Sequence, residues 1–186
     1  MFKFDSHIMD TRQQKELIDL CEIQRGQKWK LLYRATRDGF NAADFHVKCD
    51  RVPRTLTVIK ATSGNIFGGF TEISSTWNYK IVVDPNAYIF SLVNKNHESF
   101  RTFCSNDGKN AMRWISDGGP CFGFDGDGRK DICIVSNSNV NQSSYSNFGY
   151  LYKNPNYPFG TEKAKSILAG SFHFQTSEIE VFSEIN

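Results

Sequence analysis

A chain of 186 residues can bury roughly 70% of the surface it exposes when unfolded, so it needs neither a metal nor a disulfide to fold. Its net charge of +2 is too small to argue for nucleic acid or a membrane surface, and no apolar run approaches the ~20 residues of a membrane span. The 16 Phe, 7 Tyr and 3 Trp imply instead an aromatic-heavy core, and the length favours one domain over residues 1–186, with a helical segment (1–26) ahead of a β-rich body (27–186).

The opening stretch MFKFDSHIMD has an acidic residue by position 5 and no long apolar run, so it does not read as a secretory signal, and a cytoplasmic monomer is the expectation. Residues 9–24 carry the best helix pattern. Asp10 or Thr11 can cap it, and Leu17, Ile18, Leu20 and Cys21 make an apolar stripe. Arg12, Lys15, Glu16, Asp19 and Glu22 oppose that stripe, and Gly26 is a natural stop. Such a helix reads as a lid on its own domain in preference to a partner-binding helix.

Residues 29–59 read as strand, turn, short helix, loop and strand. Trp29, Leu31 and Tyr33 alternate with Lys30, Leu32 and Arg34. Arg37-Asp38-Gly39 breaks the alternation as a turn. Asn41 caps a helix with Asp44 three residues on, and Pro53 ends that segment. Residues 55–59 are rich in β-branched side chains, as a strand requires. Gly64-Asn65 is a turn. The paired glycines of IFGGFTEI (66–73) signal a bulge or the close approach of another backbone. Trp77 and Tyr79 fit a loop or strand edge. Residues 87–93, nearly all apolar, read as a central strand, and 98–104 and 111–115 as two further strands. The glycine-dense 118–128 precedes a short strand at 132–135. Residues 136–147 read as a polar loop, 148–152 as a short strand or turn, and 154–160 as irregular. The end, 170–185, alternates with a shift of register near Ser177. Short strands punctuated by turns, with few helices, point to a mainly β fold with peripheral helices: a two-sheet antiparallel β-sandwich flanked by short helices.

Several segments together resemble the TLDc domain of oxidation-resistance proteins and their relatives: WKLLYRATRDGF (29–40), DFHVKCD (44–50), TLTVIKATSGNIFGGF (55–70), DPNAYIFSLVN (84–94), DICIVSN (131–137), SSYSNFGYLYKNP (143–155) and LAGSFHFQTSEIEVF (168–182). The resemblance covers nearly the whole chain. It implies a β-sandwich of two antiparallel sheets without a settled enzymatic activity or cofactor, linked to protection from oxidative damage and to binding and regulating the vacuolar proton-pumping ATPase. The stretch FDGDGRKD (124–131) departs from the family, which is usually shorter and glycine-rich there.

Glu178 and Glu180, two apart on the last strand, face one side and could act as acid and base. The alternation with Ile179 and Val181 reads more simply as a solvated strand face, with Glu180 available to a partner. Asp125, Asp127 and Asp131 lack the third and twelfth ligands of a calcium loop, so a hairpin loop is expected. Gly123 to Lys130 misses the lysine, hydroxyl and helix of a phosphate loop. Cys21, Cys49, Cys104, Cys121 and Cys133 are odd in number without CxxC spacing, which argues for reduced thiols over a disulfide framework or zinc site. His46 and Cys49, one helical turn apart, could activate a thiolate, which with the Glu178/Glu180 pair would make a redox or hydrolytic enzyme. Arg34, Arg37, Lys48, Arg51 and Arg54 could grip nucleic acid, but Asp38, Asp44 and Asp50 dilute them into a mixed face. The reading preferred is a non-catalytic module without metal or cofactor, binding a protein partner through Arg37, Asp38, Gly39, Glu178 and Glu180.

Overall fold

The structure, a computed structural model, describes residues 4–74 and 81–185; Trp77 and Tyr79 therefore lie outside the described residues. In chain order the elements are α1 (Thr11–Leu20), β1 (Lys28–Arg34), α2 (Ala35–Asp38), α3 (Ala42–Cys49), β2 (Thr55–Ala61), β3 (Ile66–Thr71), β4 (Ile81–Val83) and β5 (Tyr88–Val93). They continue with β6 (Phe100–Phe103), a 3-10 turn (Asn106–Gly108), β7 (Lys109–Arg113), β8 (Gly118–Phe122), β9 (Ile132–Val135), β10 (Ser144–Ser146), α4 (Glu162–Ile167), β11 (His173–Phe174) and β12 (Thr176–Ile185). The strands form two antiparallel six-stranded sheets, ordered β1-β12-β2-β3-β5-β6 and β11-β10-β9-β8-β7-β4. This is the expected sandwich.

The chain's last strand lies inside the first sheet, between β1 and β2. Its register shifts against β2 between Thr176 and Glu178, where the sequence pattern also slips. Both faces of this sheet are buried. Ile59, Phe67, Ile89, Ile179 and Val181 point into the sandwich core with Phe122, Ile132 and Ile134 of the second sheet. The alternate residues Leu56, Val58, Phe70, Phe90 and Phe182 point outward into a second apolar layer with Phe4, Ile8, Met9, Leu17 and Cys21. The N-terminal segment and α1 thus cover the outer face, as a strand period of two requires once both sides carry apolar residues. Phe4 is wholly buried and meets the Phe182 ring edge-on at 4.9 Å.

Asp10 caps α1 in a reciprocal pair with Gln13. The helix ends at Leu20, short of the expected 24, and Glu22 turns with φ 55. The glycine pair of β3 resolves as close approach: a Cβ on Gly68 would overlap the Thr57 carbonyl, and one on Gly69 would sit 2.5 Å from the Phe122 ring. One expectation is corrected and one is decided between its alternatives. The polar loop 136–147 contains strand β10, because Ser144 and Ser146 are fully buried small residues that pair between β9 and β11. Residues 148–152 are a turn, held by Asp131, whose carboxylate accepts from the amides of Gly149, Tyr150 and Leu151 at 2.9, 3.0 and 3.1 Å.

Burial pushes the Asp131 carboxyl up to about 6, against the pull of those amides. The folded state therefore holds the proton more tightly than the unfolded chain does. Stability from this group is present below about pH 4 and is lost as the pH rises to about 6. Urea unfolding of wild type and Asp131→Asn across that window checks the sign: wild-type stability falls relative to the variant as pH rises. Parallel profiles would contradict it.

Candidate functional site

The sequence-predicted residues gather at one corner, where β1 passes into α2 and α3 beside β12. Glu178 and Glu180 do not form a solvated face. Glu180 is 0% exposed and Glu178 only 7%, because β12 is an interior strand whose outer side is covered by the N-terminal segment. Glu180 Oε1 accepts from Arg34 Nε at 2.8 Å and from the His7 amide at 2.7 Å, and Oε2 from Ser6 Oγ at 2.5 Å. Arg34 is itself buried and donates onward to the Asp5 carbonyl at 2.7 Å. Glu178 Oε1 accepts from the amides of Thr36 and Ile179, each at 3.0 Å, and Oε2 from the Thr36 hydroxyl. The two carboxylates are tethers. One fixes the N-terminal segment to the sheet, and the other fixes the first turn of α2. The pattern of the last strand could not reveal this, because its signal lies in Ser6 and Arg34, far away in sequence.

Arg37-Asp38-Gly39, expected as a turn, is the end of the one-turn helix α2. Gly39 has φ 113, and a Cβ there would collide with the Asp44 carboxylate. Asp44 in turn makes a capping box with Asn41 at the head of α3. The Gly39 carbonyl accepts from the buried Tyr33 hydroxyl at 2.7 Å. Asp38 accepts from the Arg34 amide at 3.0 Å and pairs with Arg37 at 2.7 Å and Lys48 at 3.9 Å. The Arg37 guanidinium holds the Asp38 carboxyl below its ordinary range. Above this fixed base, Arg37, Lys48 and the 83%-exposed Val47 face outward.

The other constellations resolve by geometry. His46 contacts Asp50 through Nδ1 at 3.0 Å and the Ile115 carbonyl through Nε2 at 2.9 Å, and so ties α3 to the β7–β8 connection. Cys49 is buried, and burial pushes its thiol well up, away from the thiolate form. The basic cluster is largely neutralised: Arg34 pairs with Glu180, Arg37 and Lys48 with Asp38, and Arg54 with Glu72 and Glu184. Asp125 accepts from the amides of Asp127 and Arg129 and pairs with Arg129, the bonding of a tight loop. Among the described residues no His, Cys, Asp and Glu group is arranged to hold a metal ion, and no helix is long and apolar enough to cross a membrane. An open depression of about 530 Å³ lies against Asn106, Tyr150, Lys153 and Phe159, away from the corner.

All five cysteines are free and buried. Spacing alone hid one relation among them: Cys121 and Cys133 are register partners on β8 and β9. A hairpin register drawn through the loop 123–131 would have found it.

A family model described as the TLDc domain matches residues 2–185. No curated protein matches the chain.

Proposed function

Because this chain belongs to the TLDc domain family, which its match over residues 2–185 establishes, we propose that it is a non-catalytic protein-interaction module of the oxidation-resistance type. On this reading residues 1–186 work as one domain, a monomer in the cytoplasm, which binds and regulates the vacuolar proton-pumping ATPase and so serves protection from oxidative damage. The observation that carries it is the β1–α2–α3 corner. Buried glutamates, a capped helix and a special glycine fix a small surface on which Arg37, Val47 and Lys48 are presented without facing a cleft. Pre-organisation of this kind favours docking, because little side-chain or loop freedom is lost on binding. Glu178 and Glu180 support the surface from beneath, and Arg37 with Asp38 forms its charged edge.

The test is capture of solubilised ATPase by the immobilised protein. Wild type retains ATPase subunits, and the double variant Arg37→Glu/Val47→Asp loses at least about tenfold in affinity, the scale of a disrupted binding centre. Its melting temperature falls by no more than about 5 °C, the scale of losing one half-exposed ion pair, so the protein stays folded at the assay temperature. Failure of the wild type to retain any subunit would end the proposal.

A further inference from the structure

On the outer face of the second sheet, four register partners make a continuous row across β8, β9, β10 and β11: Cys121 opposite Cys133, Cys133 opposite Tyr145, and Tyr145 opposite His173. The row runs from full burial to open surface. Cys121 is 0% and Cys133 3% exposed, Tyr145 is half-buried and His173 is exposed. Tyr145 stacks on Phe172 with ring centroids 5.7 Å apart, and its hydroxyl donates to the Gly128 carbonyl at 3.1 Å in the exposed loop. Lys130 Nζ reaches the same hydroxyl at 3.4 Å. Among the described residues, Tyr145 and Lys130 stand at the Cys133 end of the row. The Cys121 thiol donates to Cys133 Sγ at 3.4 Å.

We propose that Cys121 and Cys133 form a reversibly oxidisable dithiol site that reacts with small hydroperoxides and closes to a cross-strand disulfide. The site is independent of partner docking at the α2–α3 corner. Directly opposed antiparallel residues have Cα atoms about 4.5–5.5 Å apart, inside the range of roughly 4.4–6.8 Å that a disulfide spans. Closing from 3.4 Å to a bonded distance of about 2.05 Å asks each sulfur to move less than ~1 Å. The roles are unequal. The hydrogen bond from Cys121 brings the Cys133 thiol below its ordinary range, helped by the Lys130 charge, while Cys121 is held well above it. Cys133, nearer solvent, attacks, and Cys121 resolves.

The Cys133 thiolate attacks one oxygen of the hydroperoxide, so that an S–O bond forms and the O–O bond breaks. The departing oxygen takes up the proton that Cys133 released and leaves as alcohol, or as water when the oxidant is hydrogen peroxide. Cys133 is now a sulfenic acid, oxidised by two electrons, and the peroxide is reduced by two. Cys121 Sγ then attacks Cys133 Sγ. The S–S bond forms, the S–O bond breaks, and hydroxide leaves with the Cys121 proton as water. In sum, two thiols and one hydroperoxide give one disulfide, one alcohol and one water. A dithiol reductant reverses the closure by exchange.

The experiment treats the native protein with one equivalent of hydrogen peroxide, alkylates the remaining thiols and maps them by mass spectrometry. Two of the five thiols disappear, a peptide pair linked through residues 121 and 133 is recovered, and dithiothreitol restores both thiols. In Cys121→Ser the sulfenic acid on Cys133 persists and is trapped by dimedone. In Cys133→Ser peroxide consumption slows at least tenfold. Oxidation that begins at Cys21, Cys49 or Cys104, or full alkylation of Cys121 and Cys133 after peroxide, overturns the proposal. The wild-type map alone decides this, whatever the folding of the variants.

Discussion

Replacing Arg34 by Met lowers the unfolding free energy by about 3–5 kcal/mol, the usual cost of breaking a buried ion pair from one side. Glu180 is fully buried and Arg34 is its cation. Without the guanidinium, the carboxylate keeps, among the described residues, the Ser6 hydroxyl and the His7 amide. A buried charge held by two neutral donors is poorly compensated. The effect spreads to the N-terminal segment, because Arg34 also binds the Asp5 carbonyl. Residues 4–9 then open more often, and protease nicking there rises. The control is the double variant Arg34→Met/Glu180→Leu, which removes both charges and recovers much of the loss. Chemical denaturation measures all three. A single-variant loss under about 1 kcal/mol would mean that the pair is screened like a surface bridge.

The second large effect is expected at Gly68. It pairs with Val58 on one side and Phe90 on the other, in the middle of the first sheet. Its hypothetical Cβ overlaps the Thr57 carbonyl, which is backbone and cannot swing aside. Gly68→Ala therefore forces β2 and β3 apart or bends the sheet, costing about 1–3 kcal/mol or more, as overpacking does. Gly26 supplies the contrast, since nothing lies within 4 Å of a Cβ there and its φ is not positive. Gly26→Ala leaves the melting temperature within about 1–2 °C of wild type, as an exposed, uncrowded substitution should. Equal effects at the two positions would contradict the close-approach reading.

The sandwich was legible in the sequence wherever one strand carried a clear period. The alternation at 29–34, the β-branched run at 55–59 and the slip near Ser177 all correspond to strand features. The capping boxes at Asp10 and Asn41 follow from local chemistry and need no tertiary information. Misplacement of Glu178 and Glu180 has a definite cause. An alternating strand reads as half-exposed, but here Glu180 takes donors from a segment more than 170 residues away in sequence, and Glu178 takes them from Thr36 at the head of α2, 142 residues away. Strand β10 was hidden because its inward residues are serines, which carry no hydrophobic signal. Helix α4 escaped because six residues are too few to show a period. The Cys121–Cys133 contact depends on a hairpin register that composition does not encode.

Hydrogen exchange of the protein with and without solubilised vacuolar ATPase tests the docking surface directly. The account predicts slowed amide exchange over residues 35–49, where α2 and α3 present Arg37, Val47 and Lys48, with little change in the outer row of the second sheet. Protection confined to the loop 124–130 or to the depression beside Tyr150 and Phe159, or no protection at saturating ATPase, would contradict it.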